Sequence, residues 1–378
     1  MLGTCRTEYG ARGRPSSGPT GHLLQLKDEG EKESQTTGAS CRMIRFLITR
    51  ILSAIPVLLI LSIVTFAIIK APPGDYGDYL KSQLMSQGHV SDQDAQIQAD
   101  AYRAAHGLLA PLPVQYVNWM YGIFTRGDFG DSLFYNRPVS EVVGERLPRT
   151  IALALVCHIL ASLFGISLGI IAATRQYSWA DTLLSFLSFL GTTIPRFLLA
   201  IIILYILAFK LNSQSFGSFF SLEYGGKPWS WDKFVDMLYH IWPVVFIATF
   251  GGLAYNMRVM RANLLDVLNA QYVETARAKG LSERAVIMRH AVPNAIHPLV
   301  AYQGVVLPYM MTGEIETAIV FGLPTVGPGI VGSLSIGDTW VTATFMMVLA
   351  GTLIIGNIIS DLLLALLDPR IRIGGAKS

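Results

Sequence analysis

Six stretches of this chain are long and apolar enough to cross roughly 30 Å of hydrocarbon, and nothing else in the sequence limits its fold as tightly. They run over Ile51–Ile69, Ile151–Ala173, Leu183–Phe209, His240–Met257, Leu299–Phe321 and Val341–Leu367. The fourth is the weakest, because a run that short also suits a buried core helix. The reading is an all-α integral membrane protein with six transmembrane helices. Composition agrees: 52% of the 378 residues are hydrophobic, 15% are charged, and mean hydropathy is +0.45, values too apolar for an ordinary soluble domain.

The formal net charge is only +3, but its placement orients the chain. Arg258, Arg261, Arg277, Lys279, Arg284 and Arg289 crowd the short connection between the fourth and fifth runs, which the positive-inside tendency places in the cytoplasm. Arg42, Arg45 and Arg50 before the first run, and Arg370, Arg372 and Lys377 after the last, put both termini on that side as well. Six crossings return the chain to the side it started from, so count and charge agree. The segment from Lys70 to Arg149 then falls outside, where its length exempts it from the charge rule.

Residues 1–42 are rich in Gly, Ser, Thr and charge and too poor in apolar residues to fold alone. They are expected to form a disordered tail, and Met43, which opens a basic start followed by an apolar span, makes a natural first residue. That leaves the tail as an upstream over-extension of the reading frame. Residues 43–70 form the first transmembrane helix. An extracytoplasmic segment, 71–149, carries the polar helical stretch "SDQDAQIQADAYRAAHGL" and the aromatic "VQYVNWMYGIF", and suits a small cap on the outer mouth. The core of the remaining membrane spans occupies 150–372, with a tail at 373–378. A second outer loop, about 210–239, holds "WSWDKF", whose Trp residues suit the membrane interface. Cys5, Cys41 and Cys157 form neither a disulfide framework nor a metal site.

The basic connection, 258–298, contains "YVETARAKGLSERAVIMRHAVPNAIHP". Leu264, Leu265, Leu268, Tyr272 and Ala276 recur at helical spacing, Arg277 and Lys279 complement the negative helix end, and Gly280 stands where a left-handed residue closes a helix. Ser282 is placed to cap a second helix to about Val292, with Leu281, Ala285, Met288 and Val292 as one apolar stripe and Val286 and Ile287 elsewhere. One stripe is enough for lying on the parent protein. A second apolar contact among charges points to a docking surface for another protein, although an ordinary interfacial helix-turn-helix has the same periodicity.

Glu274, Ala276 and Gly280, followed after nine residues by His290, Ala291, Val292 and Pro293, resemble the "EAA" loop of ABC-importer permeases. Thr275 replaces the central Ala, His290 an apolar residue and Val292 a Leu; the first two replacements resemble the peptide-permease version of the loop. "MIRFLITRILSAIPVLLILSIVTFAI", "GDFGDSLFYNRPVSEVVGERLPRTIALAL", "FGLPTVGPGIVGSL" and "NIISDLLLALLDPRIR" extend the resemblance to the oligopeptide/dipeptide permease family over residues 43–372. Two departures stand out. Ala318 occupies the position where the family usually has Glu, with Glu314 and Glu316 upstream, and Pro324-Thr325-Val326-Gly327 stands where Pro-Gly-x-Gly is frequent.

The resemblance implies a type I ABC-importer permease fold with a cytoplasmic coupling-helix loop, its site residues being Glu274, Ala276, Gly280, His290, Pro293 and Asn294. It implies no catalytic residue, no metal and no cofactor bound by this chain, ATP and Mg being used by cytoplasmic ABC ATPase subunits. Further partners are a second permease subunit of different sequence, an extracytoplasmic solute-binding protein and membrane lipid, with no nucleic acid. The location implied is a bacterial or archaeal inner membrane. No G-x-x-x-x-G-K-[ST] phosphate loop occurs in the chain, and no HExxH or paired intramembrane aspartates support an enzyme. An ion-gradient-driven secondary transporter is the rival reading.

Charges inside the apolar runs mark the candidate translocation path: Arg196, Glu314 and Glu316. Arg196, read at the middle of the third run, either faces the path and meets a substrate carboxylate or phosphate, or pairs with Glu314 or Glu316 within the bundle.

Overall fold

The computed structural model describes residues 48–71, 73–86, 90–132, 135–213, 215–306 and 310–367; the tail 1–42 with Cys5 and Cys41, and the basic residues after 368, lie outside the described residues. The chain divides into two units, Met1–Ser53 and Ala54–Ser378, and the described part of the first, residues 48–53, is helical.

Helix α1 spans Ile48–Lys70. The segment that follows is mostly helical: α2 (Tyr76–Ser86), α3 (Asp92–Ala105) and α4 (Leu112–Arg126), then a two-stranded antiparallel ladder of β1 (Asp131–Ser132) and β2 (Arg137–Pro138). The start of α3 is fixed by Ser91, whose Oγ accepts the Asp94 amide at 3.2 Å and donates to the Asp94 carboxylate at 2.7 Å. Arg103 ties α3 to the chain before α2 by donating from Nε and Nη2 to Asp75 and from Nη2 to Asp78 at 2.7 Å. Burial alone pushes the Asp75 carboxyl up, but the Arg103 guanidinium and two backbone amides outweigh it and hold Asp75 below the usual carboxylate range. Trp119 of α4 is buried between Phe66 of α1 and Trp340, and its indole donates to the Phe129 carbonyl.

Four continuous helices are long and apolar enough to cross a membrane: α1, α5 (Val139–Thr174), α8 (Trp231–Leu268) and the greater part of α14 (Thr339–Leu367). Two further candidate spans are bent pairs. The first joins α6 (Trp179–Thr193) to α7 (Arg196–Tyr205) and a π-helical turn, Ile206–Lys210, with a bend of 100°. The second joins α12 (Met310–Phe321) to α13 (Val326–Ser335) with a bend of 63°. Among the described residues this makes four spans, or up to six if each bent pair is one.

One of the apolar windows therefore needs correction. The window Leu183–Phe209 is not a single helix, because Pro195 restricts Ile194 to extended backbone (ψ 123°) and α6 stops there. Within the window Leu299–Phe321 the described residues are helical, in α11 (Val292–Val306) and α12, with residues 307–309 outside the described set. Composition over a window measures apolarity and is blind to a local break.

α5 and α8 form the centre. At 36 and 38 residues they are about 54 and 57 Å long, well beyond the hydrocarbon thickness. Their seam is built on Ala161, Gly165 and Gly169, one per turn. A Cβ at Gly165 would sit 2.7 Å from the Leu253 carbonyl oxygen, and one at Gly169 2.7 Å from that of Met257. Around this seam lie an apolar cluster of α5, α7, α8 and α12, centred on Leu153, Val244, Ile247 and Phe321, and a second at the basic end, centred on Met260, Leu264, Val286 and Leu299.

Candidate functional site

The basic connection folds as α9 (Gln271–Ala278), the single turn α10 (Glu283–Ala285) and a π-helical segment, Val286–Ala291, that runs straight into α11. Gly280 closes α9 with φ +77° and donates its amide to the Arg277 carbonyl at 2.9 Å. A Cβ there would meet nothing within 4 Å, so the demand for glycine comes from the backbone angle alone. Arg277 crosses the turn to Glu283 at 2.8 Å, and the guanidinium holds this carboxyl below its ordinary range.

Three details differ from the sequence reading. The helix leading to Gly280 is interrupted at Asn269 and Ala270, so Leu264 and Leu265 end α8 while Tyr272 and Ala276 belong to α9. Ser282 occupies the N-cap position of α10 but makes no side-chain cap. The apolar faces are also exchanged: Val286 and Ala291 are fully buried with Val273 and Ala276, whereas Leu281 and Met288 are exposed beside Arg284 and Arg289. Pro293 lacks an amide and its ring crowds the carbonyl four residues back; the wider π turn just before it, Val286–Ala291, relieves the conflict. For the same reason the chain does not turn out at Pro293. The helix passes through it from Glu283 to Val306.

Of the loop residues singled out, Ala276 is buried and packs inward, Glu274 is exposed in the first turn of α9, and His290 is half-buried, its carbonyl accepting from Asn294 Nδ2 at 2.8 Å. Glu274, Pro293 and Asn294 are exposed, as are Met288 and Arg289.

The intramembrane charges line one cleft of about 740 Å³. Its walls come from α5, the α6–α7 break, α8, α11 and α12, and Arg196, Glu314 and Glu316 all contribute. Arg196 is the first residue of α7 rather than the middle of a span, since the break at Ile194 and Pro195 brings it to a helix end. Its guanidinium lies flat on α8, where a Cβ on Gly251 would come within 3.1 Å of Nε. Glu314 is 1% exposed, with neither carboxyl oxygen hydrogen-bonded, while Glu316 is exposed. No ion pair joins Arg196 to either carboxylate among the described residues, so the pairing considered from the sequence is not formed. Ala318, fully buried against Phe321 and Leu323, shares a face of α12 with Glu314 one turn away.

Sequence reading missed the uncharged lining. Ser162 donates to Gln303 Oε1 at 3.0 Å and Gln303 donates to Asn256 at 2.9 Å, tying α5, α11 and α8 across the cleft wall. Tyr255 and Tyr302 stack with ring centroids 4.8 Å apart, and His158 faces the same space. The signal for Asn256 and Gln303 was present, each being an amide inside an apolar run.

Packed apolar helices, two broken spans and polar groups gathered in one cleft define a polytopic membrane protein of the solute-conducting class. Residues 165–373 match the family described as binding-protein-dependent transport system inner membrane component, and residues 43–154 match the N-terminal domain that accompanies it. The chain belongs to this family, and it is a permease subunit of an ABC importer. It is similar to the oligopeptide transport system permease protein AppB of Bacillus subtilis (34% identical over 330 residues, 87% of this chain and 99% of that protein). It is also similar to the probable peptide ABC transporter permease protein y4tP of Sinorhizobium fredii (30% over 327 residues, 86% and 99%). A third relative is the putative peptide permease protein BOV_A0351 of Brucella ovis (33% over 334 residues, 88% and 100%). Among solved structures, the inward-facing MetNI methionine ABC transporter aligns with 60% of this chain and 96% of that chain, with a TM-score of 0.47 and 14% identity. Membership of the family sets aside the gradient-driven transporter.

Proposed function

We propose that this chain forms half of the translocation pathway for short peptides or similar small solutes, and that its basic loop transmits the work of separate cytoplasmic ABC ATPase subunits. The observation that carries the coupling role is the division of the loop into two faces. Val273, Ala276, Val286 and Ala291 are buried against α8 and α11, while Leu281, Met288, Arg284 and Arg289 stand outward as an apolar and basic surface. A helix that is anchored on one face and open on the other suits seating in a groove of a partner. Glu274, Pro293 and Asn294 are exposed as well.

In this reading ATP and Mg bind the partner ATPases, whose closure moves the loop as a rigid body. The unbroken helix from Glu283 to Val306 gives that movement a path of about 27 Å, from Met288 at the loop to Val306 in the cleft wall. Arg196, Glu314 and Glu316 line the route of the solute. A second permease of different sequence supplies the other wall, and an extracytoplasmic binding protein delivers the cargo to the side of residues 71–149, both termini being cytoplasmic. The peptide cargo follows the names of the relatives.

Gly280→Val tests the coupling. A β-branched residue is strained at φ +77°, so the turn that aims α10 must change while the membrane helices are untouched. The expected result is normal insertion and assembly with the co-purifying ATPase, continued ATP hydrolysis, and loss of ATP-driven uptake in proteoliposomes. Uptake at the native rate would remove the transmission role of this turn. Recovery of the tagged chain as a homo-oligomer without an ATPase, under mild detergent, would remove the proposed assembly.

A further inference from the structure

The cleft contains an electrostatic imbalance that the chain does not resolve internally. Glu314 is 1% exposed and neither oxygen has a hydrogen-bond partner, yet it lines a space of about 740 Å³. Buried polar groups in folded proteins are almost always satisfied, and a buried carboxylate is costly unless a cation or donor meets it. Arg196, half-buried at the first position of α7, lines the same space. The opening amides of a helix have no intrahelical partners and carry the positive end of its dipole, so a cation placed there reinforces the positive field. The cleft lining therefore includes one group that attracts an anion and one that attracts a cation, and among the described residues no ion pair joins them. The same lining holds the amides Asn256 and Gln303 and the stacked rings of Tyr255 and Tyr302. Such a mixture of polar groups and flat apolar walls is suited to a peptide backbone and small side chains.

We infer that the cleft is a zwitterion site within the membrane, in which Glu314 receives the free ammonium group of a short peptide and Arg196, with the N-terminus of α7, receives its carboxylate. This rests on the permease reading above and adds to it a selection made by the membrane chain itself, separate from that of any binding protein. A peptide blocked at its amino end leaves Glu314 buried and unmet; one amidated at its carboxyl end leaves Arg196 facing no charge.

The test uses the detergent-solubilised assembly without binding protein, with radiolabelled trialanine, N-acetyl-trialanine and trialanine amide in equilibrium dialysis. The wild-type assembly is expected to bind trialanine at least tenfold more tightly than either blocked form. Glu314→Gln is expected to lose the preference over N-acetyl-trialanine while keeping the preference over the amide. Arg196→Gln is expected to show the reverse, so each variant controls for the folding of the other. Equal affinity for the three peptides in the wild type, no binding of trialanine, or unchanged preferences in both variants would overturn the zwitterion site. ATP-driven trialanine uptake by wild-type proteoliposomes, measured in parallel, separates the two readings: uptake retained alongside any of these results removes the site and leaves the permease function standing, whereas no uptake with an intact assembly and binding protein added removes the peptide-permease reading as well.

Discussion

The two broken spans solve the same geometrical problem in opposite ways. At the α12–α13 bend several freed backbone groups find partners within the chain. Gly322, at φ +67°, donates to the Ile319 carbonyl at 3.2 Å and Leu323 donates to Ala318 at 3.0 Å, the pattern of a Schellman cap, with Leu323 packed on Ala318. Beyond it, the Val326 amide donates to Thr150 Oγ1 at 3.0 Å, and Arg146 donates to the Thr325 carbonyl at 3.2 Å. At the α6–α7 break, proline simply ends one helix and begins the next, and the new helix end opens on the cleft with a charge at its tip. The first bend is closed by the protein against itself. The second is left for something else to complete.

The largest effect is expected where the closed bend is forced. Gly322→Val places a β-branched residue at φ +67°, although its Cβ would meet only Gly217 Cα at an ordinary 3.8 Å. The cost is conformational, about 2 kcal/mol, and thermal unfolding in detergent is expected to show a lower Tm with little properly assembled protein. An unchanged Tm would mean that the bend does not depend on its cap.

At the open break the expectation is inverted. Arg196→Ala is expected to change stability by less than about 0.5 kcal/mol but to lower peptide uptake roughly tenfold, the equivalent of one charge-assisted hydrogen bond. A fall in Tm comparable to that of Gly322→Val, without an effect on uptake in the remaining folded protein, would erase the distinction between the two bends.

The turn at Gly280 offers a third and weaker case, closed by an exposed ion pair. Because Arg277 holds Glu283 below its ordinary range, the pair supports the turn at any pH above about 4.3, and that support falls away as pH drops through the lowered folded-state value. Hydrogen exchange at the amides around Gly280, corrected for the intrinsic pH dependence, is expected to show lower protection at pH 3.5 than at pH 7 in the wild type and no such change in Glu283→Gln. An equal change in both would show that the pair does not hold the turn.

Much of this molecule is visible in its sequence because a membrane makes apolarity decisive. α1, α5, α8 and α14 follow from continuous apolar runs, α3 from its polar pattern, and the left-handed turn from Gly280. What escaped depends on one or two residues acting through the backbone. Pro195 breaks a run that is uniformly apolar on either side, and so moves Arg196 from a helix middle to a helix end. Pro293 is accommodated by a π turn over Val286–Ala291 that breaks the 3.6-residue count, so regular helical spacing does not tell which side chains of this segment turn in. The clustering of Arg196 and Glu314 needed the fold itself, since 118 positions separate them in the chain.

The seam between α5 and α8 carries a further consequence. At Gly165 and Gly169 atoms of the facing helix, backbone carbonyl oxygens among them, stand only 2.7 Å from where a Cβ would be, which leaves this seam little room to slide. On the proposed coupling, a stroke delivered at the loop would then be spent on the walls of the cleft, α7, α11 and α12, and not dissipated in the keel between them.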